Sequence, residues 1–224
     1  MSHAERILAV LMLAFAGCST FQSDLNPQRL EVGRTSREQV VNDYGNPAGI
    51  DTITGPGIPA VTSLFQYGFT HPKRPEMFRG IWQVPQSNLV IEILNDTLHG
   101  YLYNKSGETS PTAFNKHLRW KIAIGRTTKT DVLALLGEPS GKILLPTSLL
   151  DHPALKHLRH VIPTNAREAW CYYYDYPYFK AGVRRSFEYY RFLAVYFNGK
   201  GIVTDKFFGE SDRTEPAVTR TFVP

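Results

Sequence analysis

Basic and aromatic side chains alternate in two segments that lie far apart in the sequence. This combination suits the binding of a protein or a lipid headgroup, because aromatic residues and arginine contribute most of the free energy at protein interfaces. The alternative is that each segment is an exposed hairpin with solvated charges. We predict a partner-binding role for seven residues: Phe78, Arg79 and Trp82 in the first segment, and Tyr178, Lys180, Arg184 and Arg185 in the second.

The sequence has no set of residues with the spacing of a catalytic or metal site. It contains no nucleophile elbow, metalloprotease helix or phosphate-binding loop. His152, His157 and His160 do not all fall on one helical face, and no cysteine or carboxylate completes a metal shell. Cys171 lies in a strand-like run and is expected to be a small buried side chain. We therefore predict a non-enzymatic protein with no catalytic residue, no metal and no cofactor.

An internal repeat provides the elements that would carry the two segments. One helix-and-turn motif occurs twice, and each residue of the second copy follows its counterpart by 92 positions, as Gly125 follows Gly33. Such a repeat indicates two copies of one small folding module. The shared residues are Gly33, Thr35, Val40, Gly45 and Pro47 in the first copy, and Gly125, Thr127, Val132, Gly137 and Pro139 in the second.

Each copy of the motif predicts a short helix. In the first copy, Thr35 and Glu38 match a capping box, so the helix should begin at Ser36. In the second copy, Thr127 or Thr128 caps the helix. A glycine that can adopt positive φ is expected to end both helices, and the proline that follows prevents them from resuming.

Further elements are predicted on either side of these helices. Pro27 and Pro111 stand in first-turn positions, so another helix is expected ahead of each motif. Apolar residues alternate along the strands that follow, which predicts antiparallel sheets with one face on the helices and the other face free. These strand patterns cover 64–69, 89–94 and 98–103 in the first copy, and 170–176, 189–197 and 202–208 in the second.

The predicted fold class is α+β, with two tandem repeats. Each repeat would have two short helices packed on one face of a three- to four-stranded antiparallel sheet. The expected units are a signal peptide over 1–17, a tether over 18–25, one module over 26–107, a second module over 108–209 and a flexible tail over 210–224. The second module carries an inserted segment near 142–169.

The N-terminus indicates the compartment. The apolar run from Ile7 to Ala16 has the length of a signal-peptide core and is too short to span a bilayer. The segment that ends it, Phe15-Ala16-Gly17-Cys18, resembles the lipobox of bacterial lipoproteins, in which the cysteine is acylated. Ser19 after the cysteine favours the outer membrane, with the protein facing the periplasm. The alternative is an ordinary secretory signal.

Charge and cysteine content limit the partners. The formal net charge is +5, which suits an acidic surface of an envelope protein complex or anionic lipid headgroups. The periplasmic compartment argues against nucleic acid. If Cys18 carries lipid, Cys171 has no second cysteine with which to form a disulfide.

The repeated motif resembles the SmpA/OmlA lipoprotein family, also described as BamE-like. The resemblance rests on Val32-Gly33-Arg34-Thr35 with Gly45-Asn46-Pro47, and on Ile124-Gly125-Arg126-Thr127 with Gly137-Glu138-Pro139. Members of that family pack two helices on a three-stranded antiparallel sheet and support the insertion of barrel proteins into the outer membrane. This chain departs from the family in its duplication and in Arg34 and Arg126, which replace an apolar residue. The tandem arrangement is similar to the β-lactamase inhibitory proteins.

Two functional hypotheses follow. The first is an outer-membrane-anchored, non-enzymatic lipoprotein that acts as an adaptor or stabilising subunit of an envelope complex of the outer-membrane assembly type. The second is an inhibitor-like or binding module for a periplasmic hydrolase or a peptidoglycan fragment. Fold alone does not decide between them, because function resides in specific sites.

Overall fold

The structure is a computed structural model that describes residues 25, 27–53, 62–70, 76–78, 81–83, 86–105, 113–149, 162–180 and 186–214. Its α-helices are α1 (Arg37–Tyr44) and α2 (Lys129–Leu136), and short 3₁₀ helices span Pro27–Arg29 and Lys116–Lys121. The strands are β1 (Gly49–Ile53), β2 (Thr62–Thr70), β3 (Glu76–Phe78), β4 (Ile81–Gln83), β5 (Gln86–Leu94), β6 (Thr97–Lys105), β7 (Gly141–Leu144), β8 (Glu168–Lys180), β9 (Ser186–Phe197) and β10 (Val203–Thr214).

All ten strands of the described residues belong to one antiparallel sheet. Its path runs β1-β2-β5-β6-β7-β8, and β9 and β10 continue it beyond β8. One edge of β8 pairs with β9 along nearly its whole length. The other edge pairs with β7 near Cys171 and with β4 near Phe179, so β8 has neighbours from both halves of the chain.

The predicted fold class, two repeats that each have their own helix pair and sheet, is therefore wrong. The physical reason is the pairing of β6, the last strand of the first half, with β7, the first short strand of the second half. An unpaired strand edge presents backbone N–H and C=O groups that favour addition of another strand. Three residue pairs close this seam: Gly100 with Ile143, Tyr101 with Lys142, and Leu102 with Gly141.

Both α-helices have eight residues and begin at a side-chain cap. Ser36, not Thr35, caps α1, because the Ser36 side chain accepts the N–H of Gln39 at 3.1 Å. The Thr35 hydroxyl accepts the N–H of Glu31 at 2.9 Å instead, so α1 begins one residue later than predicted. Thr128 caps α2 and forms a reciprocal capping box with Asp131.

The helices predicted ahead of the motifs are shorter than expected. Pro27 begins a 3₁₀ helix of three residues, Pro27–Arg29. Pro111 lies outside the described residues, and the 3₁₀ helix Lys116–Lys121 follows it. Of the tail predicted over 210–224, the part from Glu210 to Thr214 belongs to β10 and pairs with β9, and 215–224 lie outside the described residues.

The motif nevertheless makes the same contacts at both of its positions. The N–H of Gly33 donates to the carbonyl of Leu98 at 2.8 Å, and the N–H of Gly125 donates to that of Val203 at 2.8 Å. At the helix ends, a tyrosine hydroxyl of the sheet donates to a glycine carbonyl. These bonds are Tyr67 to Gly45 at 3.2 Å and Tyr172 to Gly137 at 3.0 Å.

The second face of the sheet is not free at its centre. Successive residues of a strand point to opposite faces. Trp170 and Tyr172 pack under α2, whereas Cys171 and Tyr173 belong to a separate core that includes Leu149 and Ala166 of the inserted segment. The expectation of a free face is therefore wrong, since the two described ends of that segment cover apolar side chains. Residues 150–161 of the segment lie outside the described residues.

A buried carboxylate fixes the inserted segment to the first half. Glu92 of β5 is only 2% exposed, and its oxygens accept the N–H of Ser148 at 2.7 Å and the hydroxyls of Ser148 and Thr147. His99 contacts the carbonyl of Pro146 at 2.7 Å on the same side. A carboxylate removed from water needs such donors, so this contact fixes the position of the segment over the sheet.

Candidate protein-binding surfaces

The structure brings together the two segments that the sequence predicted to bind a partner. β3 and β4 form a hairpin that lies between β2 and β5 in the sequence of the first half. β4 then pairs antiparallel with the end of β8 in the second half. The partners across this β4–β8 ladder are Ile81 with Lys180, Trp82 with Phe179, and Gln83 with Tyr178.

Four of the seven predicted binding residues lie in described strands. Phe78 and Trp82 take register positions in β3 and β4, and Tyr178 and Lys180 take positions at the end of β8. Their roles stay predictions. The remaining three, Arg79, Arg184 and Arg185, lie outside the described residues.

A second surface surrounds Trp120, which is not among the binding residues predicted from the sequence. Trp120 belongs to the 3₁₀ helix Lys116–Lys121 and is 71% exposed. The Arg119 guanidinium lies 4.4 Å from the centroid of the Trp120 ring and 4.1 Å from that of Phe208. The Lys206 ammonium lies 5.9 Å from the Trp120 centroid. We call Arg119, Trp120, Lys121, Ile124 and Arg126 the Trp120 surface.

Strand β10 holds the 3₁₀ helix at both ends. At its start, Lys116 Nζ donates to the Glu210 carboxylate at 2.7 and 2.9 Å. At its end, Lys206 Nζ donates to the carbonyls of Arg119 at 2.8 Å and Ile122 at 2.6 Å. Cations at the C-terminal end of a helix satisfy carbonyls that lack a partner within the helix. The backbone that carries Trp120 is therefore fixed against the sheet.

The Glu210 carboxylate is the centre of a polar network. It accepts hydrogen bonds from Lys116 and from the Tyr189 hydroxyl, and Arg191 lies 3.4 Å away. Burial raises its pKa, but the hydrogen bonds and the two cations outweigh burial and lower the pKa to about 2. Burial, followed by the hydrogen bond to Glu210, raises the pKa of Tyr189 to about 12. The carboxylate is thus ionised and the phenol neutral at physiological pH.

The Trp120 surface is strongly one-sided in charge. From Ala113 to Thr130 the chain has five basic residues and no acidic residue. Lys116 pairs with Glu210, and Lys129 pairs with Glu168 of β8. Lys121 and Arg126 are exposed and form no ion pair within the described ranges. Their positive potential is therefore available to a partner.

The sequence contains a signal for this surface that strand patterns do not capture. The run from Lys116 to Arg126 combines a tryptophan with four cations and lacks any acid. At the position of Trp120, 92 residues earlier, the first copy has Gln28. A residue that is large and aromatic in one copy but polar in the other is not required by the helix-and-turn motif that both copies share. Such a difference favours a role for Trp120 at the surface and not in folding of the motif.

The described residues show other features relevant to chemistry. They contain no cluster of three or more His, Cys, Asp and Glu side chains that could hold a metal ion. Cys171 is fully buried, and burial raises the pKa of its thiol to about 12, so the thiol stays protonated. None of the helices in the described ranges has the length and apolar character needed to cross a membrane.

Comparison with known proteins gives one structural match. No protein-family model matches the sequence, and no curated protein matches it. A solved structure from Streptococcus mutans, described as a "putative beta-lactamase inhibitor protein", is similar to this chain with a TM-score of 0.37 and 10% sequence identity. The match covers 89% of this chain and 94% of that one. Similarity at this level establishes neither a family nor a function, so the resemblance to SmpA/OmlA lipoproteins stays a prediction.

Proposed function

We propose that this protein is a non-enzymatic adaptor of the bacterial cell envelope, anchored in the outer membrane by lipid on Cys18, that holds a protein partner. The observation that carries the proposal is the β4–β8 ladder. It places a segment of the first half directly beside a segment of the second half, and both segments are rich in aromatic and basic residues.

A strand ladder is a suitable support for a binding surface. Backbone hydrogen bonds fix the register of Trp82 opposite Phe179 and of Gln83 opposite Tyr178. Residues on a fixed backbone lose less conformational entropy on binding than residues on a free loop. Tryptophan, tyrosine and arginine are the side chains whose removal costs most at interfaces. Together these features support one binding surface formed by both halves.

The anchor part of the proposal is tested at the mature N-terminus. Mass spectrometry of the protein extracted from membranes should find acyl chains on Cys18 and no residues before it. Cys18→Ala should move the protein out of the membrane fraction. An unmodified Cys18 in the mature protein would contradict the anchor while leaving the binding surface open to test.

The adaptor part is tested by crosslinking in intact cells, followed by detergent extraction and purification of the full chain. We expect one partner in reproducible stoichiometry, and we expect its loss from the double variant Trp82→Ala with Tyr178→Ala. Ile50→Ala is the matched control, since Ile50 is an exposed apolar residue on the distant strand β1. Recovery of the same partner in equal yield from the double variant would refute the proposed surface.

A further inference from the structure

We infer that the Trp120 surface is a second binding site, independent of the β4–β8 ladder, and that its partner is an acidic protein segment bearing an apolar side chain. The inference does not depend on the proposed function, because it rests on residues of the 3₁₀ helix Lys116–Lys121 and of β10.

The apolar part of the site is exposed and held in place at the same time. Trp120 is 71% exposed and Ile124 is 54% exposed, so both can contact a partner without any rearrangement of the core. Arg119 lies between the rings of Trp120 and Phe208 and donates to the carbonyl of Lys116 at 2.7 Å. An exposed tryptophan with a fixed neighbour loses little entropy on binding, which is the property of an interface hot spot.

The charge of the site selects an acidic partner. Lys121 lies between Trp120 and Ile124 along the chain, Arg126 follows them, and both cations are exposed. Neither forms an ion pair within the described part of the molecule, so both can pair with carboxylates of a partner. Complementary charge of this kind accelerates association and excludes basic partners.

The fixed geometry favours a protein segment over a membrane surface. Polybasic sites for anionic lipid use long, mobile side chains that reach headgroup phosphates. Here the Lys206 ammonium donates to two backbone carbonyls, and Arg119 is held between two rings. A protein segment can match such a fixed pattern of charge and apolar area.

The first copy of the motif shows that the skeleton does not require these residues. Gln28 stands at the position of Trp120, and the cation Arg34 is paired with Glu31 at 3.2 Å. Val32, the counterpart of Ile124, packs against the core of the first half. The same turn thus exists without an exposed aromatic residue, so the exposed Trp120 and Ile124 of the second copy are free to serve binding.

The test is a selection of short random peptides displayed on phage against the full-length chain in detergent. Peptides should be counter-selected on the Trp120→Ala variant, and the enriched sequences should contain Asp or Glu together with Leu, Phe or another large apolar residue. Binding of a synthetic enriched peptide should weaken at least about tenfold in Trp120→Ala. It should also weaken with added salt and in the double variant Lys121→Ala with Arg126→Ala.

Three controls distinguish binding at the Trp120 surface from loss of folding, from binding at the β4–β8 ladder and from binding to lipid. Trp120→Ala should melt at the wild-type temperature, since the side chain is mostly exposed. Ile50→Ala and the pair Trp82→Ala with Tyr178→Ala should bind the selected peptide normally, so failure of the β4–β8 ladder proposal would leave this result intact. Phosphatidylcholine vesicles with and without phosphatidylglycerol test the membrane alternative.

Two outcomes would overturn the inference. One is a selection that yields no peptides that depend on Trp120, or yields peptides without acidic residues. The other is binding to phosphatidylglycerol vesicles that depends on Trp120 and is not displaced by any selected peptide. The second result would assign the surface to lipid.

Discussion

The two copies of the helix-and-turn motif have the same hydrogen bonds but different surroundings. Both have a glycine whose N–H donates to the last strand of its own half, β6 or β10, and a tyrosine that donates to the glycine ending the helix. In the first copy, strand β1 pairs only with β2 among the described strands. In the second copy, the corresponding strand β7 lies between β6 and β8.

The exposed apolar residues also differ between the copies. Val32 and Val41 of the first copy pack against its core, whereas their counterparts Ile124 and Leu133 are exposed. The shared skeleton therefore accounts for the folding of each motif. The residues that differ decide how the halves join and which apolar side chains are exposed.

The largest effect is expected at the seam between the halves. A Cβ on Gly141 would lie 2.6 Å from the carbonyl oxygen of Tyr101, whereas a Cβ on its counterpart Gly49 would meet nothing closer than 3.9 Å. Gly141→Ala should therefore lower the free energy of unfolding by about 3 kcal/mol, because backbone atoms must move apart. Gly49→Ala should change it by less than about 1 kcal/mol. Urea denaturation of both variants measures the difference, and equal effects would contradict the seam geometry.

The next largest loss of stability is expected at Ser140, the residue just before the seam. The Ser140 hydroxyl oxygen accepts the N–H of Tyr173 at 2.6 Å and lies 3.2 Å from the carbonyl of Cys171, and all of these groups are buried. Ser140→Ala should cost about 2 kcal/mol, because it leaves a buried N–H without an acceptor. The counterpart in the first copy is Ala48, so Ala48→Ser is the matched control and should be nearly neutral. Hydrogen exchange should show faster exchange of the Tyr173 amide in Ser140→Ala, and unchanged exchange would refute the bond.

A similar cost in both copies is expected at the glycines that end the helices. Gly45 has φ 75° and ψ −168°, and Gly137 has φ 78° and ψ −167°, a region that only glycine adopts readily. No atom lies within 4 Å of an added Cβ at either position, so the cost is backbone strain alone. Gly45→Ala and Gly137→Ala should each cost about 1.5 kcal/mol.

The control for this pair is Gly199→Ala. Gly199 also has open space around an added Cβ and is not among the glycines with positive φ. It should change the free energy of unfolding by less than about 0.5 kcal/mol. Unequal losses of stability in the Gly45 and Gly137 variants would show that the two glycines do not stabilise their copies equally.

Local structure could be predicted from the sequence because its causes are local. Gly45 and Gly137 end the helices as predicted, for reasons contained within a few residues, and the cap of α2 is Thr128, one of the two threonines that the sequence left open. The pairing of β6 with β7 could not be predicted. Gly49 and Gly141 are the same residue at the same position of the motif, and only tertiary context places one at an edge and the other in a seam.

The two candidate surfaces were only partly predictable from the sequence. The alternation of basic and aromatic residues identified both sides of the β4–β8 ladder, but nothing in the sequence indicated that they would pair. Trp120 was not predicted, because a single tryptophan has no pattern that distinguishes an exposed position from a buried one, and its helix is held by Lys206 of the distant strand β10. Long-range contacts of this kind leave no periodic pattern.

The smallest effect is electrostatic and depends on pH. The folded-state pKa of Glu210 is about 2, below its ordinary value of 4.5, so its contribution to stability is fully present above pH 4.5 and is lost as pH falls towards 2. The side chains involved are partly exposed, so Glu210→Gln should cost about 1 kcal/mol or less at neutral pH. The difference in the free energy of unfolding from wild type should shrink below pH 4.5.

The control is Glu31→Gln in the first copy, which breaks an exposed pair and should have no effect beyond about 0.5 kcal/mol at any pH. Urea denaturation at a series of pH values measures both variants. Because Glu210 also holds the start of the Trp120 helix, a Glu210→Gln profile parallel to wild type would show that this end of the helix is held by packing rather than by charge.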